Sequence, residues 1–147
     1  MVALSDRRGA IFVEYAVAIV PMFALFWGLL QINGLLLADL VVRDAAEKAV
    51  RAAVVCDSDH ATTGKAGGLA CAQQAAAETV KAEPSISDAE VISLDGAASS
   101  GNQEVTAVVV AHYTCQVPLV GALVCGGEQA TLQRSAKMPN QGAYYVF

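Results

Sequence analysis

The sequence predicts an α+β fold in which one long helix carries a small domain with a second, short helix and a three-stranded antiparallel sheet. Three observations support this prediction. An uncharged apolar segment of 24 residues occupies positions 15–38, and helical spacing of apolar residues continues beyond it to Val55. Three runs of strand-forming residues then follow from Ala89 onward. The chain of 147 residues suits one small domain with an anchor.

The long helix is expected over residues 10–55, with a kink at Pro21, where the ring removes a backbone hydrogen bond. At about 1.5 Å per residue, its segment 15–38 would span roughly 36 Å, which exceeds a hydrocarbon core of about 30 Å. Its outer half carries acid–base pairs at i, i+4 and an apolar stripe on which a small domain would pack. The stripe consists of Val42, Ala46, Ala49, Val50 and Ala53.

The exported part is expected to be residues 56–147, beginning with a polar, glycine-containing loop at 56–68. A short helix over 69–83 would end at Pro84. The strands are predicted at 89–94, 104–117 and 131–138, with a turn at 99–102. The near-continuous apolar run in the second strand predicts a central position in the sheet.

Charge is distributed unevenly along the chain. Residues 1–9 have a net charge of +1, whereas residues 39–147 have a net charge of −5. Since basic residues precede the apolar segment, the positive-inside rule places the N-terminus in the cytoplasm and the domain across the membrane, in a single pass. The acidic domain has no basic stripe to follow phosphates, which argues against nucleic acid as a partner. Membrane lipid is the partner that the apolar segment predicts.

Small residues recur in the apolar segment at a spacing that lets helices approach closely in a bilayer. We interpret them as candidate helix-packing positions for neighbouring subunits, and Gln31 and Asn33 as candidates for interhelical hydrogen bonds. The small residues are Ala24, Gly28, Gly34 and Ala38.

All four cysteines follow the apolar segment, and an even number on the oxidising side of a membrane predicts disulfides. Three pairings are open, of which we favour the local one. It joins Cys56 to Cys71 and Cys115 to Cys125. Each bridge would stabilise a small domain by roughly 3 kcal/mol in the chain-entropy model.

Metal binding and catalysis are weaker interpretations of the same residues. A zinc site would combine Cys56 and Cys115 with His60 and His112, but these spacings match no zinc motif. Asp57 and Asp59 lie in a polar stretch and are expected to be solvated rather than to bind calcium. A thiol–disulfide oxidoreductase would need a Cys-x-x-Cys pair, which the sequence lacks. We therefore expect neither metal nor cofactor, and no enzymatic activity.

The N-terminal residues carry the most specific motif. A short basic leader ends at Gly9 and is followed by Ala10, three apolar residues, Glu14 and Tyr15. A carboxylate at the start of a membrane segment is costly and suggests a function. The motif resembles the cleavage site of the tight-adherence (Tad, or Flp) pilus proteins. The resemblance implies that a prepilin peptidase removes residues 1–9 and leaves a mature chain that begins at Ala10.

Two further segments are similar to TadE-like pseudopilins, which are pilin-like minor subunits. They are 43–53 in the long helix and 132–138 in the last strand. This resemblance implies a pilin-like fold and partners comprising other pilins and pseudopilins, the peptidase and an inner-membrane assembly platform. The implied location is the bacterial inner membrane or the pilus, with the domain periplasmic or extracellular. TadE-like and TadF-like proteins both remain open.

One alternative of a different class remains. The domain would be a surface binding module or adhesin on an uncleaved signal anchor, with the apolar segment 143–147 as a contact surface. The same five residues could instead form a last edge strand that packs on the sheet.

Overall fold

The computed structural model describes residues 7–63, 67–95, 104–116, 121 and 124–139. They form a long helix, a short helix and a three-stranded antiparallel sheet, so the predicted layout of elements is confirmed. The predicted turn at 99–102 and the terminal segment 143–147 lie outside the described residues.

The long helix, α1, extends over Arg7–Thr63 and continues through Pro21. It is longer than predicted at both ends. The loop expected from residue 56 was wrong for 56–63, which are helical. The physical reason is that no glycine or proline follows Cys56 until Gly64, so nothing in the backbone chemistry stops the helix earlier.

The short helix, α2, occupies Gly68–Val80 and ends before the predicted residue 83. Glu83 precedes a proline, which disfavours helical backbone at that residue. The helix begins in close contact with α1, because a Cβ atom on Gly68 would lie 2.9 Å from the carbonyl oxygen of Ala53. Glycine therefore allows the two helices to approach at this point.

The sheet has the order β1-β2-β3, with β1 at Ile86–Asp95, β2 at Glu104–Thr114 and β3 at Gln129–Pro139. The central position of β2 is as predicted. Strand β1 begins three residues earlier than predicted, and β2 ends three residues earlier. The pairing of β1 with β2 shifts register between Val91 and Ser93, which marks a bulge at the edge strand.

The core lies between α1, α2 and one face of the sheet. The predicted stripe on α1 is buried throughout, and it faces alternate residues of β2. These β2 residues are Val105, Ala107, Val109, Ala111 and Tyr113.

The strands run along α1, which gives the domain two distinct ends. Tyr113 lies against Gly34. At the other end of β2, Val105 and Ala53 line the same groove. The end of the sheet with Tyr113 is therefore the end nearest the apolar segment of α1.

Candidate functional site at the junction of the apolar helix and the domain

The apolar part of α1 is uncovered from Ile11 to Leu30. Most side chains in this stretch are exposed, for example Phe12 at 74% and Leu25 at 71%. In the described part of the chain, one helix is long and apolar enough to cross a membrane. The uncovered stretch of 20 residues would be about 30 Å long, close to the thickness of a hydrocarbon core. By length and composition, α1 is able to serve as a membrane anchor.

The domain covers one face of α1 from Gln31 onward. Gln31 is 3% exposed and Ala38 is fully buried, while Gly34 and Leu35 are partly buried. These positions belong to the segment 15–38 that the sequence assigns to the membrane. On this face, the last third of that segment is therefore already in contact with the protein's own domain.

A polar cluster holds this contact together. The side chain of Gln31 hydrogen-bonds with Tyr113, and its Nε2 also donates to Sγ of Cys125 at 3.9 Å. The phenol of Tyr113 fits over Gly34, where an added Cβ would lie 2.6 Å from the Tyr113 oxygen. A polar side chain on an apolar helix is thus satisfied within the chain, as a buried amide must be.

Tyr113 is neutral at ordinary pH. Its burial raises the pKa of the phenol above the usual value of 10.0. The carboxylate of Glu83 raises this pKa further, and the hydrogen bond from Gln31 acts in the opposite direction. The neutral hydroxyl can therefore donate as well as accept a hydrogen bond at this junction.

The residues of the predicted processing site lie at the start of α1, far along the helix from the domain. Gly9 and Ala10 are within the helix, and the side chains of Glu14 and Tyr15 are exposed. Among the described residues, Glu14 has no ion-pair partner. A carboxylate in this position is available to a group outside the described part of the chain.

The four candidate helix-packing residues divide into two pairs. Ala24 and Gly28 lie on the uncovered part of α1, with Gly28 partly buried. Gly34 and Ala38 face the sheet of the same molecule. A neighbouring helix could therefore approach at the first pair, whereas the face of the second pair is occupied by β2.

Both local disulfides are present. The bridge Cys56–Cys71 joins α1 to α2, and we call it the α1–α2 bridge. The bridge Cys115–Cys125 joins the end of β2 to the segment before β3, and we call it the β2–β3 bridge. The thiols that the zinc interpretation required are thus used in disulfides.

Of the histidines and aspartates singled out above, His112 has a described side chain. Nδ1 of His112 lies 3.4 Å from Oγ1 of Thr131, on the outer face of the sheet. The side chains of Asp57, Asp59 and His60 lie outside the described residues.

Sequence reasoning missed the role of Gln73. This residue lies beside the buried face of α2, and its amide reaches the free edge of β1. Its Nε2 donates to the carbonyl oxygen of Ala89 at 2.9 Å, and its Oε1 accepts from the backbone N–H of Val91 at 2.7 Å. The side-chain amide replaces a neighbouring strand and protects the edge. A glutamine at the border of an apolar helix face was the one signal available.

The face of α1 opposite the domain also continues without cover past Gln31. Leu36 and Leu40 are each 60% exposed, and Leu37 is 51% exposed. Charged side chains follow them, with an ion pair between Arg43 and Glu47 at 3.7 Å. An uncovered apolar patch thus extends beyond the level at which the domain begins.

Comparisons of this chain with models of known protein families, with curated proteins and with solved structures found no match.

Proposed function

We propose that the protein is a minor pilin or pseudopilin of the TadE-like kind, which supports the assembly, initiation or capping of a Tad/Flp-type pilus used in surface adhesion. The observation that carries this proposal is the motif from Gly9 to Tyr15 at the start of one continuous helix. The helix is exposed and apolar over Ile11–Leu30 and then carries a domain held by two disulfides. The proposed role is structural rather than enzymatic.

Glu14 has a physical role in this proposal. Cleavage after Gly9 creates an ammonium group at Ala10, four residues before Glu14 and on the same helix face. The carboxylate can neutralise this group or the one on a neighbouring subunit. Opposite charges about 4 Å apart attract by about 1 kcal/mol in water and about 4 kcal/mol near a protein surface. Such a pair fixes the axial register of neighbouring helices.

The three exposed leucines Leu36, Leu37 and Leu40, which we call the leucine patch, give a second argument for subunit packing. If the bilayer ends near Gln31, where the domain begins, Leu40 lies about 14 Å farther along the helix and outside the hydrocarbon. Leu36, Leu37 and Leu40 would then expose an apolar surface to water, which marks a protein contact. In this proposal, helices of pilins or other pseudopilins cover the patch.

The partners and location follow from the same proposal. The prepilin peptidase acts at the cytoplasmic side of the inner membrane, and an assembly platform in that membrane receives the mature subunit. The domain lies in the periplasm or at the cell surface, either in the membrane-bound protein or within the pilus.

The decisive measurement is the N-terminal mass of the protein isolated from membranes of its native host. A chain that begins at Ala10 is expected. A chain that keeps Met1 would contradict prepilin processing and favour the signal-anchored binding module.

Glu14 provides the assembly test. Glu14→Ala is expected to leave membrane insertion intact and to abolish co-assembly, measured as the amount of the protein in sheared pili. The matched control is Glu47→Ala, which removes an exposed acid from the same helix outside the apolar segment. Normal assembly of the Glu14 variant would overturn the proposed role.

The leucine patch is tested separately. Leu40→Asp should keep both disulfides but lose cross-linking to pilin partners in membranes. The control is Leu69→Asp, since Leu69 is similarly exposed, at 53%, but lies on α2. Equal cross-linking in the two variants would exclude the patch as a subunit contact.

A further inference from the structure

The two hairpin connections of the sheet lie at opposite ends of the domain. The connection from β2 to β3 starts beside Tyr113, which contacts Gly34 on the apolar part of α1. The connection from β1 to β2 starts at the other end, where Val105 and Ala53 line one groove. The strand ends of one connection therefore lie next to the proposed membrane segment, and the strand ends of the other are remote from it.

The sequences of the two connections differ in hydrophobicity. Between the cysteines of the β2–β3 bridge, residues 117–124 read Val-Pro-Leu-Val-Gly-Ala-Leu-Val, with no charge. The remote connection, 96–103, reads Gly-Ala-Ala-Ser-Ser-Gly-Asn-Gln and has no apolar side chain larger than alanine. The strand ends that the apolar sequence joins thus lie at the end of the domain that faces the membrane.

The helix fixes how close this end lies to the bilayer. Cys125 is at 3.9 Å from the Gln31 side chain, so the β2–β3 bridge is level with Gln31. If the hydrocarbon is centred on segment 15–38, Gln31 lies about 8 Å inside its boundary. If the hydrocarbon instead covers the exposed stretch 11–30, Gln31 lies at the boundary. In both placements the bridge touches the membrane.

We propose that this end of the domain is a second membrane contact, in which Val124 and the bridge rest at the boundary between headgroups and acyl chains. Val124 is 37% exposed, and the bridge ties it to the end of β2. The inference rests on the membrane anchoring of α1 in the proposed function. Only Glu128 is charged between Thr114 and Gln129, so the contact is apolar and suits zwitterionic lipid.

A second contact limits how the domain can swing about α1. The helix alone would let the domain tilt in any direction relative to the membrane plane, and an apolar contact on one side of the helix favours a tilt toward that side. The leucine patch on the opposite face of α1 then points away from the lipid contact and toward neighbouring helices.

Trp27 makes a direct test possible, because it is the only tryptophan and lies near the middle of segment 15–38. The full chain is reconstituted in phosphatidylcholine vesicles whose acyl chains are brominated either near the headgroup or near the methyl end. Bromine quenches tryptophan fluorescence on contact. In the wild-type chain, Trp27 should lose fluorescence with both brominated lipids, and the ratio of the two losses shows which placement of the hydrocarbon applies.

The reporter is Val124→Trp in a Trp27→Phe background. It should lose fluorescence mainly with bromine near the headgroup. The matched control is Ile92→Trp in the same background, since Ile92 is an exposed aliphatic residue of β1 at 52% exposure. It should keep the fluorescence measured in unbrominated lipid.

A second reporter, Gly127→Trp, guards against a local defect at Val124, because a Cβ atom added at Gly127 meets no atom within 4 Å. Resistance to thiol alkylation without reductant reports that both bridges have formed. If neither reporter is quenched while Trp27 is, the second contact is excluded and the anchor stands. If Trp27 itself is not quenched, both the anchor and this inference fail.

Discussion

The contact between Gly34 and Tyr113 predicts that the effect of Gly34→Ala on the free energy of unfolding changes sign when the Tyr113 hydroxyl is removed. An added Cβ at Gly34 would lie 2.6 Å from the hydroxyl oxygen of Tyr113 but 3.7 Å from its Cζ. The first distance forces atoms to move, whereas the second is an ordinary contact. Tyr113 is 3% exposed, so its ring has little freedom to yield.

Two opposing effects determine the magnitude. Replacing glycine by alanine within a helix favours folding by about 1 kcal/mol. Overpacking a buried site costs about 1–3 kcal/mol. Gly34→Ala should therefore lower the free energy of unfolding by up to about 2 kcal/mol in the wild-type chain. In a Tyr113→Phe background, the same substitution should raise it by up to about 1 kcal/mol, because only the helix effect remains.

The assay is a double-mutant cycle on the full chain in detergent micelles, with denaturant unfolding followed by near-ultraviolet circular dichroism. Loss of the hydroxyl also removes one of the two hydrogen-bond partners of Gln31, but this cost is common to both Tyr113→Phe proteins and cancels in the cycle. The expected coupling is about 1–3 kcal/mol. An effect of Gly34→Ala that is equal in the two backgrounds would refute the packing that we describe.

Three further predictions follow from the domain. Gln73→Ala should lower the free energy of unfolding by about 1–3 kcal/mol and speed hydrogen exchange of the Val91 amide, because two backbone groups lose their partner; the neighbouring Gln74→Ala, which removes only an exposed bond to Glu78, should have little effect. Replacing both cysteines of the α1–α2 bridge by serine should lower the free energy of unfolding by about 3 kcal/mol. Replacing those of the β2–β3 bridge should lower it slightly less, because the loop that this bridge closes is shorter, at 10 rather than 15 residues. Urea unfolding midpoints measure both effects, and unchanged midpoints would contradict a stabilising role. Finally, the raised pKa of Tyr113 means that the folded chain keeps a proton that the unfolded chain releases above pH 10.0, so stability should be constant below that pH and fall as pH rises through the folded pKa; Tyr113→Phe should flatten this alkaline decline in urea titrations.

The order of elements could be predicted because each has a local signal. The stripe on α1 has helical spacing, and the apolar run of β2 identifies a central strand. The end of α1 was harder to predict, since polar residues after Cys56 resemble a loop in composition while their backbone propensities permit a helix. Composition and helix propensity therefore give different predictions for this segment, and the chain is helical as far as Thr63, as propensity permits.

The junction could be predicted only in part. Gln31 was identified as a polar residue that needs a partner, but sequence alone suggested another helix. Its actual partners, Tyr113 and Cys125, lie 82 and 94 positions away along the chain, so no local pattern links them. Gly34 was likewise identified as a close-approach position, and the approaching group is a phenol of the same chain rather than a neighbouring helix. Spacing shows that a helix allows close contact, but it does not identify what makes that contact.

The composition of the core explains why the domain depends on such specific contacts. In the part of the chain that the structure describes, nine of the seventeen buried apolar residues are alanine, and the largest fully buried side chains are valines. Alanine contributes only a methyl group to the hydrophobic effect, so each buried position stabilises the fold less than a leucine would. In return, small side chains let α2 and the sheet lie close to α1. The α1–α2 bridge then secures one region of the domain, and the β2–β3 bridge with Gln31 and Tyr113 secures the end near the apolar segment. A thin core fastened in this way keeps the domain narrow beside its helix, which suits the proposed role of a subunit whose helix packs among others.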